Sequence, residues 1–566
     1  MNSSWNPCES LGDISQGFLG LKLSLKSALC KAAKALGSEG ITPDSVILER
    51  PREPGHGDLA TGLPFVLAKS LRKPPRTIAE DLTKKLSLDT GLVEKVEVAG
   101  GGFINFFLSM SWLYEGLLVL LRNPDGFGRS DLGQGQKVQV EFVSANPTGP
   151  LTVGHGRQAS IGDSIARLLE RIGCQVTREY YFNNAGNQMA LLARSVHARY
   201  LELLGKDAVV PEEGYQGEYI KDIAKAILEK HGSGLGEEDL NVFKDEAEAA
   251  IFAQIKATLS RLGVAFDVFF NETALHESGK VQETIVALKQ TGHAYESEGA
   301  LWLKAQAFGI EKDRVLVKST DEPTYRLVDM AYHKDKLARG FDHILDIFGA
   351  DHHSDAQDVL AGVKALGLDS SKIEVIIHQF VTLSRGGEKV RMSKRTATYV
   401  TLDELIEEVG ADAVRFFFLM RRSEAHLEFD LDLAKKQSDE NPVYYVQYAH
   451  ARISNILRHA GERGVSRWTL DKINLELLGQ PEELALVKLM MDFPELVLGA
   501  ATSREPHRIP VYLQDLAGVF HNFYHLHRVV TEDEPLTQAR LCLVGAVRTV
   551  MRHGLHLIGV TAPERM

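Results

Sequence analysis

The 566-residue chain has few cysteines, no long apolar run and no excess of basic charge. Cys8, Cys30, Cys174 and Cys542 are widely scattered with no CxxC pair, which argues against structural zinc and for a reducing compartment. No apolar stretch reaches bilayer length, so no membrane span is expected. The opening MNSSWNPCESLGD has neither a basic start nor an apolar core, so a secretion signal is not expected either. A formal net charge of −12 excludes indiscriminate coating of nucleic acid, but not a local basic surface that grips one RNA. Repeats and low-complexity tracts are also missing.

What is present is an ordinary globular composition, 44% hydrophobic and 25% charged, on a chain too long for one core. Residues 1–130 combine an apolar helix near 17–36 with short strand-like runs around the turn-rich PREPGHGDLAT. Residues 131–190 give strand, turn, helix and strand. VQVEFVS alternates with Val138, Val140 and Phe142 on one face, while Ile161, Ile165, Leu168, Leu169 and Ile172 recur at helical spacing before QVTREYYF. Such a βαβ unit makes a parallel sheet the default. Residues 191–320 are charged and mainly helical, and read as an insertion; 321–402 return to α/β through HILDIFGAD and KIEVIIHQFVTL. Residues 403–566 look helical to the end, with hardly a strand candidate. The expected fold is α/β: a parallel-sheet core split by a helical insertion, an α+β domain before it and an all-helical domain after it.

The stretch EFVSANPTGPLTVGHGR, residues 141–157, sets His155 between Gly154 and Gly156 where a helical pattern begins. Glycines let a ligand approach the backbone, and a helix N-terminus attracts anions. Three readings are open. Gly154 to Ala159 fits the dinucleotide pattern G-x-G-x-x-A, with Glu179 where a ribose ligand falls, although Ser144 to Val153 intervene between strand and glycines. The glycines could also simply end a strand. In the third reading, nucleotidyl transfer, His155 donates hydrogen bonds to triphosphate oxygens as charge moves onto pyrophosphate. The loop GGEKVRMSKRTATYV, 386–400, favours the third: Gly386 and Gly387 permit movement, and Lys389, Arg391, Lys394 and Arg395 can follow migrating phosphate charge. Alone, such a cluster would read as a solvated basic loop.

TVGH (152–155) resembles the HIGH signature, and RMSKR (391–395) the KMSKS loop, of class I aminoacyl-tRNA synthetases. With FNNAGNQ, YRLVDMAYHKDK, GADHH, ADAVRFF, YVQYAHARI and the terminal GVTAPERM, the chain resembles the arginyl-tRNA synthetase family over all its regions. The resemblance implies a Rossmann catalytic domain, an N-terminal domain touching the tRNA elbow and a C-terminal anticodon-binding domain. It implies a ligase that activates arginine with ATP and Mg²⁺ to arginyl-adenylate, then transfers it to the 3′-terminal ribose of tRNA(Arg). No structural zinc, a requirement for tRNA in the first step, a monomer and a cytoplasmic location are expected.

Carried over by motif, His155 and Thr152 touch phosphate, while Lys394 and Arg395 meet the pyrophosphate. Gly154, Gly156, Gly349, Asp351, His352, Met392 and Ser393 line the ATP site. Glu141 and Asn146 hold the ammonium end of arginine, and Asp329 and Tyr325 receive the guanidinium, with His353 beside them. A guanidinium removed from water needs carboxylate partners, and residues four apart share a helix face. His352 and His353 could be metal ligands, but adjacent residues rarely converge on one ion. Tyr444, Tyr448, Arg452, Phe523, Arg528 and Met566 are the candidate tRNA contacts, since rings and guanidinium planes suit unstacked bases, although helix-spaced aromatics are often core. Two positions depart from the family signatures: Thr152 replaces a histidine and Arg391 a lysine. The rival classes are an NAD-dependent dehydrogenase, a small-molecule nucleotidyltransferase and a silent tRNA-binding paralogue.

Overall fold

The structure, a computed structural model, describes residues 18–51, 53–390, 400–465 and 470–566. The N-terminal region is an antiparallel sheet of β1 (Leu59–Thr61), β2 (Val93–Ala99) and β3 (Phe103–Leu108), ordered β1-β3-β2. The helices Phe18–Ala35, Leu63–Leu71 and Pro75–Lys85 bury Leu25, Leu29, Leu67, Ile78 and Leu82.

The central sheet is built from β4 (Lys137–Glu141), β5 (Gln175–Phe182), β6 (Val268–Asn271), β10 (His343–Gly349) and β11 (Ile373–His378). Between β6 and β10 a small antiparallel sheet holds β7 (Ala294–Ser297), β8 (Ala300–Leu303) and β9 (Arg314–Val317). The central strands run parallel in the order β11-β10-β4-β5-β6. From β4 the chain builds outward through β5 and β6, then returns to start β10 on the other side of β4. The carboxyl ends of β4 and β10 therefore flank a topological switch point, where open α/β sheets bind ligands. The alternation in 138–144 suggested one covered face, yet Gln139 and Glu141 are buried as fully as Val138 and Val140. Parallel sheets are covered on both faces, which is the reason.

Two regional expectations need correction. The insertion holds three long helices, Gly186–Leu203, Glu218–His231 and Leu240–Arg261, but also β6, an edge strand of the central sheet itself. β6 is only four residues, VFFN, too short for a period to declare itself. The C-terminal block likewise contains β14 (Leu427–Asp430), which pairs in parallel with β12 (Val381–Arg385), while β13 (Glu388–Lys389) lies on the other edge of that sheet. Beyond β14 the described residues hold the short helix Leu431–Lys435, two 3-10 turns and five longer helices from Pro442–Glu462 to Glu534–Leu557. Among the described residues no helix is long and apolar enough to cross a membrane.

The helix Val153–Arg171 is fixed along its length by buried charge. Arg157 donates to the carbonyls of Gln379, Arg422 and Ala425 at 2.6, 2.9 and 2.9 Å. Farther along, the fully buried Arg415 reaches the Asp163 carboxylate at 2.6 Å and the carbonyls of Leu262 and Ile558 at 3.1 and 2.7 Å. Gly559 lies against that guanidinium at φ +66°, and a Cβ there would collide with it. The ADAVRFF and GVTAPERM motifs thus meet at one clasp that seats this helix.

Candidate active site

β4 ends at Glu141, and the chain turns through Val143 and Ser144 at φ 71° and 41°. A β-branched residue there is strained, and such strain persists only where surrounding bonds impose it. Ser144 Oγ donates to Glu141 Oε1 at 2.8 Å and accepts from the Tyr181 amide at 3.2 Å. Farther along, Thr152 is extended and precedes the helix, and its amide donates to His155 Nδ1 at 3.1 Å. A backbone N–H can only donate, so Nδ1 is the bare nitrogen and the ring proton sits on Nε2. This local bond sets the tautomer that donates outward. Thr152, standing where the signature has histidine, keeps a structural task as the residue that orients His155.

Thr152 also bridges to Thr401, and the Leu402 amide donates to the Leu151 carbonyl at 2.8 Å. On the other flank the Val390 amide donates to Leu383 at 2.9 Å. Met392, Ser393, Lys394 and Arg395 lie outside the described residues; of the described chain beyond them, Thr401 and Leu402 meet the His155 turn. The glycines divide in role. A Cβ on Gly154 would have only Thr152 Oγ1 near it, at 3.7 Å. On Gly156 it would meet Leu402 Cδ1 at 2.5 Å and Phe418 Cε2 at 3.0 Å, so the bare Cα of Gly156 lets the helix pack closely there.

At the end of β10, Gly349 stands in register with His378 of β11. A Cβ on Gly349 would lie 2.5 Å from Asp351 Oδ1, so this turn folds tightly on itself. His378 is buried and its imidazole is pushed down to about 4, chiefly by burial, with the Arg157 charge adding to it and the Gln379 carbonyl and Asp351 opposing. The side chains of His352 and His353 lie outside the described residues.

The helix Tyr325–Ala338 turns Asp329, His333 and Lys336 toward the sheet. Lys336 is fully buried, bonded to Glu141 Oε2 and, at 2.6 Å, to Asp346 Oδ1. Burial alone would lower its pKa, yet Asp346 and Glu141 push it up to about 12. Burial likewise disfavours the Asp346 anion, but Lys336 and His333 hold it well below the usual carboxylate range. His333 faces Asp346 Oδ2 at 2.9 Å and the Asp329 carbonyl at 2.7 Å, acceptors on both ring nitrogens.

Asp329 differs from its neighbours. Among the described residues its carboxylate has no hydrogen bond or ion pair, and its surface is only partly covered. Burial pushes its pKa up to about 7, with Glu141 and Glu272 adding to the rise and His333 and Lys336 opposing it. Tyr325, expected as its partner, is exposed at the helix start, where its hydroxyl donates to Asp355 at 3.0 Å. Asn146 links two turns, with Oδ1 accepting from the Asn183 amide at 2.9 Å and Nδ2 donating to Gln188 at 3.1 Å. Glu272 accepts from the Tyr181 hydroxyl at 2.5 Å and from Asn183 at 2.6 Å. Tyr181, Glu272, Lys336 and Asp346 escaped the sequence reading. Only strand-end position could have flagged Tyr181 and Glu272, Asp346 sits in mid-strand with no such signal, and Lys336 was already inside a quoted motif.

Glu179 settles one alternative. It is fully buried and takes the Tyr332 hydroxyl at 2.6 Å and both Arg339 terminal nitrogens at 2.6 and 2.9 Å. With three donors on its two oxygens and no part of its side chain exposed, Glu179 has no open face for a ribose, and the dinucleotide reading falls with it.

On the C-terminal helices, Tyr444 stacks on Tyr448 at 5.8 Å between centroids and Tyr448 on His521 at 6.2 Å. Arg452 lies over Tyr448 and Tyr524 at 4.5 and 5.1 Å. Phe523, expected to touch tRNA, is instead fully buried: its helix phase turns it into the core, and Tyr524, next in sequence, is the exposed ring. Arg528 is exposed in the loop that follows, and Met566 is exposed at the end of a tail pinned by His450 donating to the Pro563 carbonyl at 2.8 Å.

Residues 21–108 match the family model of the arginyl tRNA synthetase N terminal domain, 119–424 that of the class I (R) tRNA synthetase catalytic domain, and 446–566 that of the DALR anticodon binding domain. The chain belongs to the arginyl-tRNA synthetase family. It is 50% identical to the arginine–tRNA ligase of Desulfotalea psychrophila, over 92% of this chain and 94% of that one. It is 48% identical to the arginine–tRNA ligase of Desulforamulus reducens, over 97% and 100%. The solved arginyl-tRNA synthetase of Thermus thermophilus superposes with a TM-score of 0.75 at 26% identity, covering 96% of this chain and 100% of that one. As a member of this family, the chain is a ligase that joins arginine to tRNA, in a class that uses ATP.

Proposed function

We propose that the crevice between the ends of β4 and β10 carries out both steps of arginine attachment. The arginine carboxylate attacks the α-phosphorus of ATP in line and displaces pyrophosphate. The terminal ribose hydroxyl of tRNA(Arg) then takes the arginyl group and AMP leaves. ATP enters as its Mg²⁺ complex, the ion held by phosphate oxygens and water, and no protein ligand is assigned to it. The protein's part is positioning and charge stabilisation, with no covalent enzyme intermediate.

In this reading His155 Nε2–H donates to phosphate, and Thr152 sets its tautomer. Gly154 leaves room for ATP, while Gly349, Asp351 and His352 border the adenosine. Lys394 and Arg395, with Met392 and Ser393, follow the pyrophosphate. Asp329 receives the guanidinium, with Tyr325 and His353 at the rim, and Glu141 and Asn146 hold the ammonium end. Tyr444, Tyr448, Arg452 and Tyr524 receive anticodon bases, with Arg528 and Met566 beside them. The N-terminal domain meets the tRNA elbow, a role that the exposed rings of Phe65 and Phe103, 4.9 Å apart, suit. The enzyme is read as a monomer. Buried free thiols at Cys30, Cys174 and Cys542 agree with a cytoplasmic setting.

The observation that carries the reading is Asp329, a carboxylate without a partner among the described residues and beside two others at the switch point, a site shaped for a cation. An aminoacylation assay with ATP, the twenty amino acids and total tRNA tests it: arginine alone is expected to be attached, and attachment of another amino acid instead would overturn it. ATP–pyrophosphate exchange is expected to stay silent until tRNA is added; full exchange without tRNA would refute the tRNA requirement.

A further inference from the structure

Three acids stand side by side across the buried sheet. Asp346 of β10 is in register with Glu141 of β4, and Glu141 with Glu179 of β5. All three are 3% exposed or less. Like charges on neighbouring strands repel, and strongly so out of water. One helix answers the whole row. His333, Lys336 and Arg339, spaced three apart, face Asp346, the Asp346–Glu141 pair and Glu179 in turn.

We infer that Lys336 is a positioning residue: its ammonium, locked between Glu141 and Asp346, fixes the carboxylate that Glu141 presents to arginine. One oxygen of Glu141, Oε2, is held by Lys336, and the other, Oε1, by the Ser144 hydroxyl. The carboxylate plane is therefore set from both ends before any ligand arrives, and a preset acceptor loses little freedom on binding. Lys336 also decides the charge of the site. Without it Glu141 would face Asp346, Glu179, Asp329 and Glu272, with the hydroxyls of Tyr181 and Tyr332 nearby and only His333 and Arg339 as cations, both already engaged. Glu141 would then have no ammonium to hold Oε2, and the Asp329 carboxyl, which Lys336 now lowers, would rise further. The inference rests on the arginine site proposed above.

Lys336→Met keeps most of the length of the side chain and removes its charge, and Lys336→Met with Asp346→Asn removes one charge of each sign. In aminoacylation by the full chain, the single variant is expected to raise KM for arginine by about tenfold or more, the size of a lost charge-assisted hydrogen bond, with KM for ATP unchanged. The acidic limb of kcat/KM for arginine should move to higher pH. The double variant should recover the melting temperature but not the arginine KM. If its arginine KM returns to the wild-type value, Lys336 serves charge balance alone and the inference is overturned. If the single variant does not fold, the double variant decides alone. Glu141→Gln separates the two levels: an unchanged arginine KM there would remove Glu141 from the site and sink the underlying reading, not merely this refinement.

Discussion

The inner face of the helix Tyr325–Ala338 and the aromatic face of the C-terminal helices are both proposed to recognise a ligand, by opposite means. The first is buried charge in which His333, Lys336 and Arg339 each have a named acid and Asp329 has no partner among the described residues. The second is a partly exposed stack of Tyr444, Tyr448, His521, Arg452 and Tyr524. Breaking one buried ion pair costs about 3–5 kcal/mol, whereas one base–aromatic stack contributes about 1–3 kcal/mol. One small cation can be told from another only where every charge is counted. A polymer can be held by many modest contacts, each replaceable.

The comparison breaks most sharply at Asp329. Asp329→Asn should lower kcat/KM for arginine by about a hundredfold or more, the loss of a buried charge pair, with KM for tRNA unchanged in the same assay. A tRNA effect as large as the arginine effect would erase the contrast. On the other face, Phe523 and Tyr524 are neighbours with different fates. Phe523→Ala should destabilise the fold by about 3–5 kcal/mol, read in a denaturant titration, with residual activity showing normal tRNA affinity. Tyr448→Ala should weaken tRNA binding by about 1–3 kcal/mol in a filter-binding assay and leave the melting temperature and arginine KM in place.

The smallest effect per step is a pH dependence. The Asp329 carboxyl, pushed up to about 7 in the empty protein, is protonated below that pH and must be ionised to meet a guanidinium. Arginine affinity should therefore rise with pH and level off above about 7, falling below it by up to about tenfold per unit. Calorimetry in buffers of different ionisation enthalpy should register about one proton released per arginine near pH 6. For stability the sign is opposite: a raised carboxyl pKa favours the fold at low pH, and that contribution fades as pH rises toward 7.

Much of this was legible in advance. The run 138–144, the helix after TVGH and the strand QVTREYYF fixed a parallel βαβ unit, because period and order act locally. Placement of His155 at a helix start was also local, and its hydrogen bond to the Thr152 amide spans only three residues. The errors came where phase or distance ruled. Phe523 and Tyr524 differ by one step of a helix, and only the packed neighbour says which step points inward. The packing of Leu402, far along the chain, against Gly156 was likewise beyond local reading.

The amino-acid order by itself determined the first βαβ unit, the two signature segments and the family, since these are properties of short stretches read in sequence. The tertiary structure alone decided that Asp346, Glu141 and Glu179 line up across three strands under His333, Lys336 and Arg339. Register between strands is set by how whole surfaces pack, and no local pattern encodes which acids will be neighbours or which of them will be left needing a cation.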